Sequence, residues 1–411
     1  MRVLITVAVW GRKYAAAFAD YALASQLSAN NLPRLAATHQ ITYHIVTTGA
    51  DRDWLVRQPA VRHLDDMCRI HWDLIESHGI NLDHVPTGFD DKKYVFLSQL
   101  QNFAFALSPD YDALVFNYAD FVWADGSLSA TLAQLNDDAD AVLSFCLPVD
   151  RKSGMRALDS CRDAGSGVLA LPGRMLARIA IDHLHRDAQL HFWDASRFTA
   201  RPTYLLWRVT GQGVLIRAYH QTVLALRIKH ADASFRLGIM RGSLDGYFTS
   251  HLATQGRVRH AVDSDDVLVI SLYDAPYSAV LREESREQAL ARTLESAISQ
   301  SQRRFAEVAI RVKAECTDVE AWRRVEQGSG LLLRHFHAVT PFDADAFERL
   351  HVETSDLDNA LRQRTFGDWI YRTLLLRLAH STFGGTLKGI LGESSRSLRH
   401  NFERWIYRSK R

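Results

Sequence analysis

Two carboxylates, Asp120 and Asp125, stand just beyond a short apolar run in the stretch YDALVFNYADFVWADGSL, residues 111–128. Hard divalent cations such as Mg²⁺ and Mn²⁺ take oxygen ligands, and a cation held this way can clamp a diphosphate. The run itself, Ala113 to Phe116, is rich in strand formers and bounded by polar residues. Such a run suits a strand buried on both faces of a sheet. Open α/β sheets place ligand chemistry where a buried strand delivers polar groups to its C-terminal edge. A plainer reading stands beside this one: Asp125-Gly126 is a turn pair, and Ser127 is a good N-cap for a helix over 128–135. More groups capable of chemistry come later in the chain. His220 lies inside the apolar run VLIRAYHQTVLAL, where a core histidine is the ordinary alternative to a ligand. Asp245 and His251 flank the turn-permitting Gly246 in SLDGYFTSHL.

The elements that must position these groups begin with a strand over Val3–Trp10, ended by Gly11. Helical periodicity over Lys13–Leu27 and a strand over Ile41–Thr47 complete a βαβ unit, which predicts a parallel sheet. The loop Gly11-Arg12-Lys13 then falls at the C-terminal edge of the first strand, where a nucleotide could sit. It is neither a GxGxxG nor a P-loop, so a Rossmann cofactor or Walker site has no support. A helix is expected over 52–78, and a strongly amphipathic one over Asp91–Leu107. Lys92, Lys93 and Tyr94 open the second; they read as a solvated first turn or as a cation reaching phosphate. Further strands are expected over 139–145 and 267–273, with a helix over about 174–184 between them. From about residue 279 the pattern turns helical, with Glu/Arg-rich faces that read as solvated surface.

Bulk properties narrow the classes. The 411 residues can bury a large core, and 47% apolar with 23% charged residues is the composition of an ordinary globular protein. A formal net charge of +2 implies no global attraction to nucleic acid. The four cysteines are scattered without ligand spacing, which favours reduced thiols in a cytoplasmic setting. No stretch of about 18 uninterrupted apolar residues spans a bilayer, and the N-terminal run is too short for a secretory signal. The last part differs in charge. Residues 362–411 hold 11 Lys or Arg against three acids, interleaved with Trp369, Tyr371, Trp405 and Tyr407. Basic helices with aromatic and leucine faces can lie on an anionic membrane surface; a helix docked on the rest of the chain with its basic face in water is the alternative.

The order of parts resembles the GT-A fold of glycosyltransferases. The matching residues are VLITVAVWG at the start, LVFNYADFVWADGSL in the middle, and RAYH with SLDGYF later, over roughly residues 1–275. That resemblance implies an α/β chain with a GT-A-like, mostly parallel sheet flanked by helices. A nucleotide-sugar half would cover about 1–135 and an acceptor half about 136–275, with 276–411 as a helical C-terminal extension. It implies a hexosyltransferase-type enzyme that moves a sugar from a nucleotide-sugar donor to a glycan, lipid-linked or protein acceptor in bacterial surface polysaccharide synthesis. Mn²⁺ or Mg²⁺ would serve as cofactor, and the enzyme would work in the cytoplasm at the inner face of the membrane. By the same resemblance Asp120, His220 and His251 are metal candidates, Asp120 for metal or diphosphate and the two histidines competing for a phosphate or metal role. Asp245 and Asp125 are catalytic ones, Asp245 as base or second metal contact and Asp125 in support of Asp120. Trp10, Gly11, Lys93, Tyr94 and Asn117 would line the donor. A strict Asp-x-Asp motif would carry an acid at Tyr118, and Asn117 stands where another carboxylate could contribute. Two rivals are a sugar-phosphate nucleotidyltransferase and a non-catalytic, membrane-associated scaffold on the same fold.

Overall fold

The computed structural model describes residues 1–80, 107–136, 138–227, 257–274, 284–315 and 317–342, together with Thr249, Phe96, Leu97, Leu100, Gln101 and Phe103–Phe105. In chain order the described strands are β1 (Arg2–Ala8), β2 (Gln40–Thr47), β3 (Arg69–Leu74), β4 (Ala113–Tyr118), β5 (Phe121–Trp123), β6 (Ala141–Ser144) and β7 (Leu147–Asp150). They continue with β8 (Tyr204–Val209), β9 (Gly213–Ala218), β10 (Thr222–Arg227), β11 (Val258–His260), β12 (Val269–Tyr273) and β13 (Ile310–Lys313).

Seven of them form a mostly parallel central sheet in the order β11-β6-β10-β4-β1-β2-β3. Only β10 runs antiparallel to its two neighbours. The chain lays β2 and β3 outward on one side of β1, then returns to place β4 on the other side. Strand order therefore reverses between β1 and β4, and a crevice opens beyond the C-terminal ends of such a pair.

Both faces of the sheet are covered, which is why its middle strands read as continuous apolar runs. Val3, Ile5 and Val7 join Tyr43, Ile45 and Val115 in one core with Phe18 and Ala22. Those last two lie on a helical stretch that starts as Arg12–Ala17, widens to a π-helix over Phe18–Leu23 and ends with Ala24–Gln26. On the opposite face Ala8 and Val46 pack with Phe96, Leu100 and Phe103. Two three-stranded sheets flank the main one, in orders β5-β12-β7 and β13-β9-β8. Helices Gly173–Asp182, Gln300–Glu307 and Val319–Val339 pack on the second of these.

Several expectations are corrected. The helix expected over 52–78 is two helices, Gly49–Leu55 and Pro59–Met67, followed by the edge strand β3. Cys68 is extended and breaks the helical path. Beyond it the side chains alternate, Ile70 and Trp72 toward the apolar core and His71 and Asp73 away, a period of two and not 3.6. Ser127 is not an N-cap: Gly126 takes that position at φ +88°, and the Ser127 hydroxyl accepts the Leu268 N–H instead. The run VLIRAYHQTVLAL divides into β9 and β10, which belong to different sheets. Within the stretch expected to be helical, β13 pairs antiparallel with β9 and so joins residues 310–313 to the third sheet. No described helix is long and apolar enough to cross a membrane. The basic tail, 362–411, lies outside the described residues.

Candidate functional site

The β1–β4 edge gathers a group of opposed charges at a strand terminus. After β1 the chain turns at Gly11, whose φ of +81° is a left-handed value that glycine adopts without strain. Its N–H donates to Asp51 Oδ2 at 2.7 Å, which ties the loop to the helix Gly49–Leu55. A Cβ at Gly11 would meet nothing within 4 Å, so the backbone there borders open space. This turn launches the helical stretch that carries Lys13 and Tyr14.

Asp120 follows β4 and is fixed by β12. Ser271 Oγ donates to its Oδ2 at 3.0 Å, and the Leu272 N–H donates to its carbonyl at 2.9 Å. Just past the end of β12 comes Asp274, whose Oδ2 pairs with Lys13 Nζ. Arg151, the first residue of the helix Arg151–Asp159, stands with Nη1 3.5 Å from the same oxygen. Its Nη2 donates to the Lys13 carbonyl at 2.8 Å, and its guanidinium carbon lies 5.4 Å from the centre of the Tyr14 ring. Nη1 is buried and makes no hydrogen bond to a described residue. Burial pushes the Tyr14 phenol above its usual range; Asp274 and Asp120 push it the same way, against Lys13 and Arg151. One phenol therefore feels two cations and two carboxylates. Lys13 and Arg151 suit phosphate oxygens, the carboxylates suit a hard cation, and Tyr14, kept protonated, is a hydrogen-bond donor.

The other sequence candidates fall in different places. Asp125 clasps Asn30, accepting from its backbone N–H at 3.1 Å and from its side chain at 2.7 Å. Partial burial works to raise its pKa, but the hydrogen bonds from Asn30 and Ser28 outweigh that and lower it. Asn117 sits in the core: its amide donates to Tyr43 Oη at 2.9 Å and accepts from Trp123 Nε1 at 3.1 Å. Trp10 packs edge-on against Phe96, ring centres 5.1 Å apart. His220 is half-buried between β9 and β10, its N–H on the Thr203 carbonyl at 3.3 Å. Because β10 is antiparallel to β4, His220 comes to the edge at which β4 ends. Gly11, Asp120 and His220 thus share that edge, whereas Asp125, Asn117 and Trp10 make contacts elsewhere. Lys93, Tyr94, Asp245 and His251 lie outside the described residues.

Three members of the charged group were not singled out in the sequence. Asp274 follows the strand-like VLVISLY as Asp120 follows its own run, so the same signal was present. Tyr14 adjoins the loop already marked as a nucleotide position. Nothing local marks Arg151, which reaches the site only through the fold.

A second group of ligating side chains lies at the β2–β3 edge. His44, His71 and Asp73 each offer an atom, all within 4.8 Å of one another, and could hold a metal ion. They come together because His44 pairs with His71 across the two strands, with Asp73 two residues further on the same face. Among the described residues Asp120 and His220 belong to no such three-ligand group.

No family model matches the sequence, and no curated protein matches it. Among solved structures, the apo form of mouse xyloside xylosyltransferase 1 aligns at 13% identity over 41% of this chain and 61% of its own, with a TM-score of 0.25. Staphylococcus aureus TarS aligns at 14% identity over 36% of this chain and 22% of its own, with a TM-score of 0.24. The chain spans under two thirds of the length of both.

Proposed function

We propose that this chain is a glycosyltransferase that binds the diphosphate of a nucleotide-sugar donor over the β1–β4 edge. The sugar would pass to a glycan, lipid-linked or protein acceptor in the building of bacterial surface polysaccharide. One observation carries the reading: a single carboxylate, Asp274, is set between Lys13 and the buried Arg151 and acts with Asp120 on the same phenol, Tyr14, while Lys13 and Asp120 follow the two strands between which strand order reverses. Asp274 there occupies the place of an anion. A diphosphate that displaces it would meet Lys13 Nζ, the Arg151 Nη1 donor, which has no hydrogen bond to a described residue, and the Tyr14 hydroxyl.

Asp120 and the displaced Asp274 offer carboxylate oxygens, a donor set that fits Mn²⁺ or Mg²⁺. When bound, such a cation supplies charge neutralisation for the leaving diphosphate. Ser271 keeps the Asp120 carboxylate oriented, and Gly11 leaves room for a ligand to approach the backbone. The acceptor hydroxyl needs a base for an inverting displacement, and we assign that role to Asp245 in the acceptor half. On this reading residues 362–411 hold the enzyme at the cytoplasmic face of an anionic membrane.

Calorimetric titration of nucleoside diphosphates into the full-length chain and its Lys13→Met variant tests the binding half. Loss of one charge-assisted hydrogen bond costs about 1.5–3 kcal/mol, or roughly 10–100-fold in affinity. The unfolding midpoint should not move, because the Lys13 side chain is 61% exposed. Absence of binding by the wild type, or equal binding by the variant, would contradict the proposal.

A further inference from the structure

We infer that His44, His71 and Asp73 form a site for a borderline divalent transition metal of the Zn²⁺ class, which clips the outermost strand of the central sheet. Two imidazoles and one carboxylate are the donor set that such metals prefer; Mg²⁺ and Mn²⁺ prefer oxygen throughout. The three ligands lie on the sheet face opposite the core that holds Tyr43, Ile45, Ile70 and Trp72, and β3, which supplies two of them, is the last strand in the sheet order.

The spacing is close to that of a coordination sphere. His44 Nε2 stands 3.2 Å from Asp73 Oδ2. Bonds of about 2.0–2.1 Å set ligand–ligand edges of about 3.3 Å in a tetrahedron, so this pair already has the required separation. With every pair of donor atoms within 4.8 Å, at most about 1.5 Å of closure is needed. His71 can supply it: the ring lies 5.4 Å from His44, centre to centre, and has no hydrogen bond to a described residue.

The surroundings are those of a built site. A metal-ligating histidine fixes its tautomer by giving its second N–H to a neighbour, and a ligating carboxylate is itself hydrogen-bonded. His44 is fully buried, and its Nδ1 lies 3.1 Å from Thr6 Oγ1. With Nε2 on a metal, Nδ1–H would donate to that hydroxyl. The other carboxylate oxygen of Asp73 is bound by His78 Nε2, and the His78 ring stacks on Phe103 at 4.0 Å. Two of the three ligands thus have an outer partner. Three protein ligands leave a fourth position of a tetrahedral site for water.

The test uses the full-length chain after EDTA treatment. Zn²⁺ titrated calorimetrically should bind at one equivalent and more tightly than Mn²⁺, and Co²⁺ should give visible ligand-field bands. His71→Ala should weaken Zn²⁺ by about 100-fold or more while the metal-free unfolding midpoint stays put. Thr6→Val should weaken it by about 10–100-fold, an effect specific to an outer-shell partner. Asp120→Asn, which alters the proposed donor site, should leave Zn²⁺ affinity unchanged, so failure of one proposal is distinguishable from failure of the other. Imidazole ¹⁵N spectra of the wild type, which need no variant, should show two histidines shifted by Zn²⁺. Lack of Zn²⁺ binding, binding that survives His71→Ala, or equal preference for Mn²⁺ would overturn the assignment.

Discussion

Asn117→Ala separates a structural role for that amide from a ligand-binding one. The side chain is 2% exposed and links Trp123 to Tyr43, whose hydroxyl donates onward to Gln26 Oε1 at 3.0 Å. Truncation orphans the Trp123 indole N–H in a fully buried setting, a cost of about 1–3 kcal/mol. Tyr43 loses the bond that it accepts but keeps its own donation to Gln26, a further cost of about 0.5–1.5 kcal/mol. The sum is about 1.5–4.5 kcal/mol. Urea unfolding followed by near-ultraviolet dichroism reads both the midpoint shift and the environment of Trp123, at unchanged slope if only stability has changed. Adding Trp123→Phe removes the orphaned donor, so the two changes should couple by about 1 kcal/mol or more. Destabilisation under about 1 kcal/mol together with lost nucleotide binding would refute the reasoning and place the amide against a ligand.

Two further predictions concern pH and the tail. Burial lowers the pKa of His191 and of His260 to about 4 each, so the folded state favours the neutral rings. An unfolded histidine takes its proton near 6.5, so this stability is complete above that pH and is lost as the pH falls toward 4. Two such groups at about 1.4 kcal/mol per pH unit each give a slope of up to about 2.8 kcal/mol per unit in that window; a flat urea-unfolding profile between pH 6.5 and 5 would contradict it. Residues 362–411 should carry the chain down with anionic but not neutral vesicles, and added salt should release it; equal binding to both would count against the membrane role.

The sequence made some of this fold readable and hid the rest for identifiable reasons. β1, β4 and β12 stood out because burial on both faces demands unbroken apolar runs. The edge strand β3 did not, since Arg69, His71 and Asp73 interrupt it and Ile70 also fits the helical spacing of the residues before it. β13 is four residues long, and only its pairing with β9 makes it a strand. Asp120 could be marked as an acid after a buried strand. The roles of Arg151 and Asp274, by contrast, depend on side chains that meet across 123 residues of chain, which no local pattern encodes. Asn117 illustrates the opposite case: its position at a strand end suggested a ligand contact, and only the alternation of the strand turns it toward Tyr43 and Trp123 in the core. The His44–His71–Asp73 group needed the β2–β3 register before its members could be seen as neighbours.

The central claim is tested most directly by turnover of a panel of nucleotide sugars, with Mn²⁺ present, by the wild type and by Asp120→Asn. Asparagine keeps the shape and can still accept from Ser271 while it removes the charge. The account predicts release of a nucleoside diphosphate without pyrophosphate by the wild type, and a loss of about 100-fold or more in the variant at an unchanged unfolding midpoint. Pyrophosphate release, silence across the whole panel, or wild-type turnover by Asp120→Asn would contradict it.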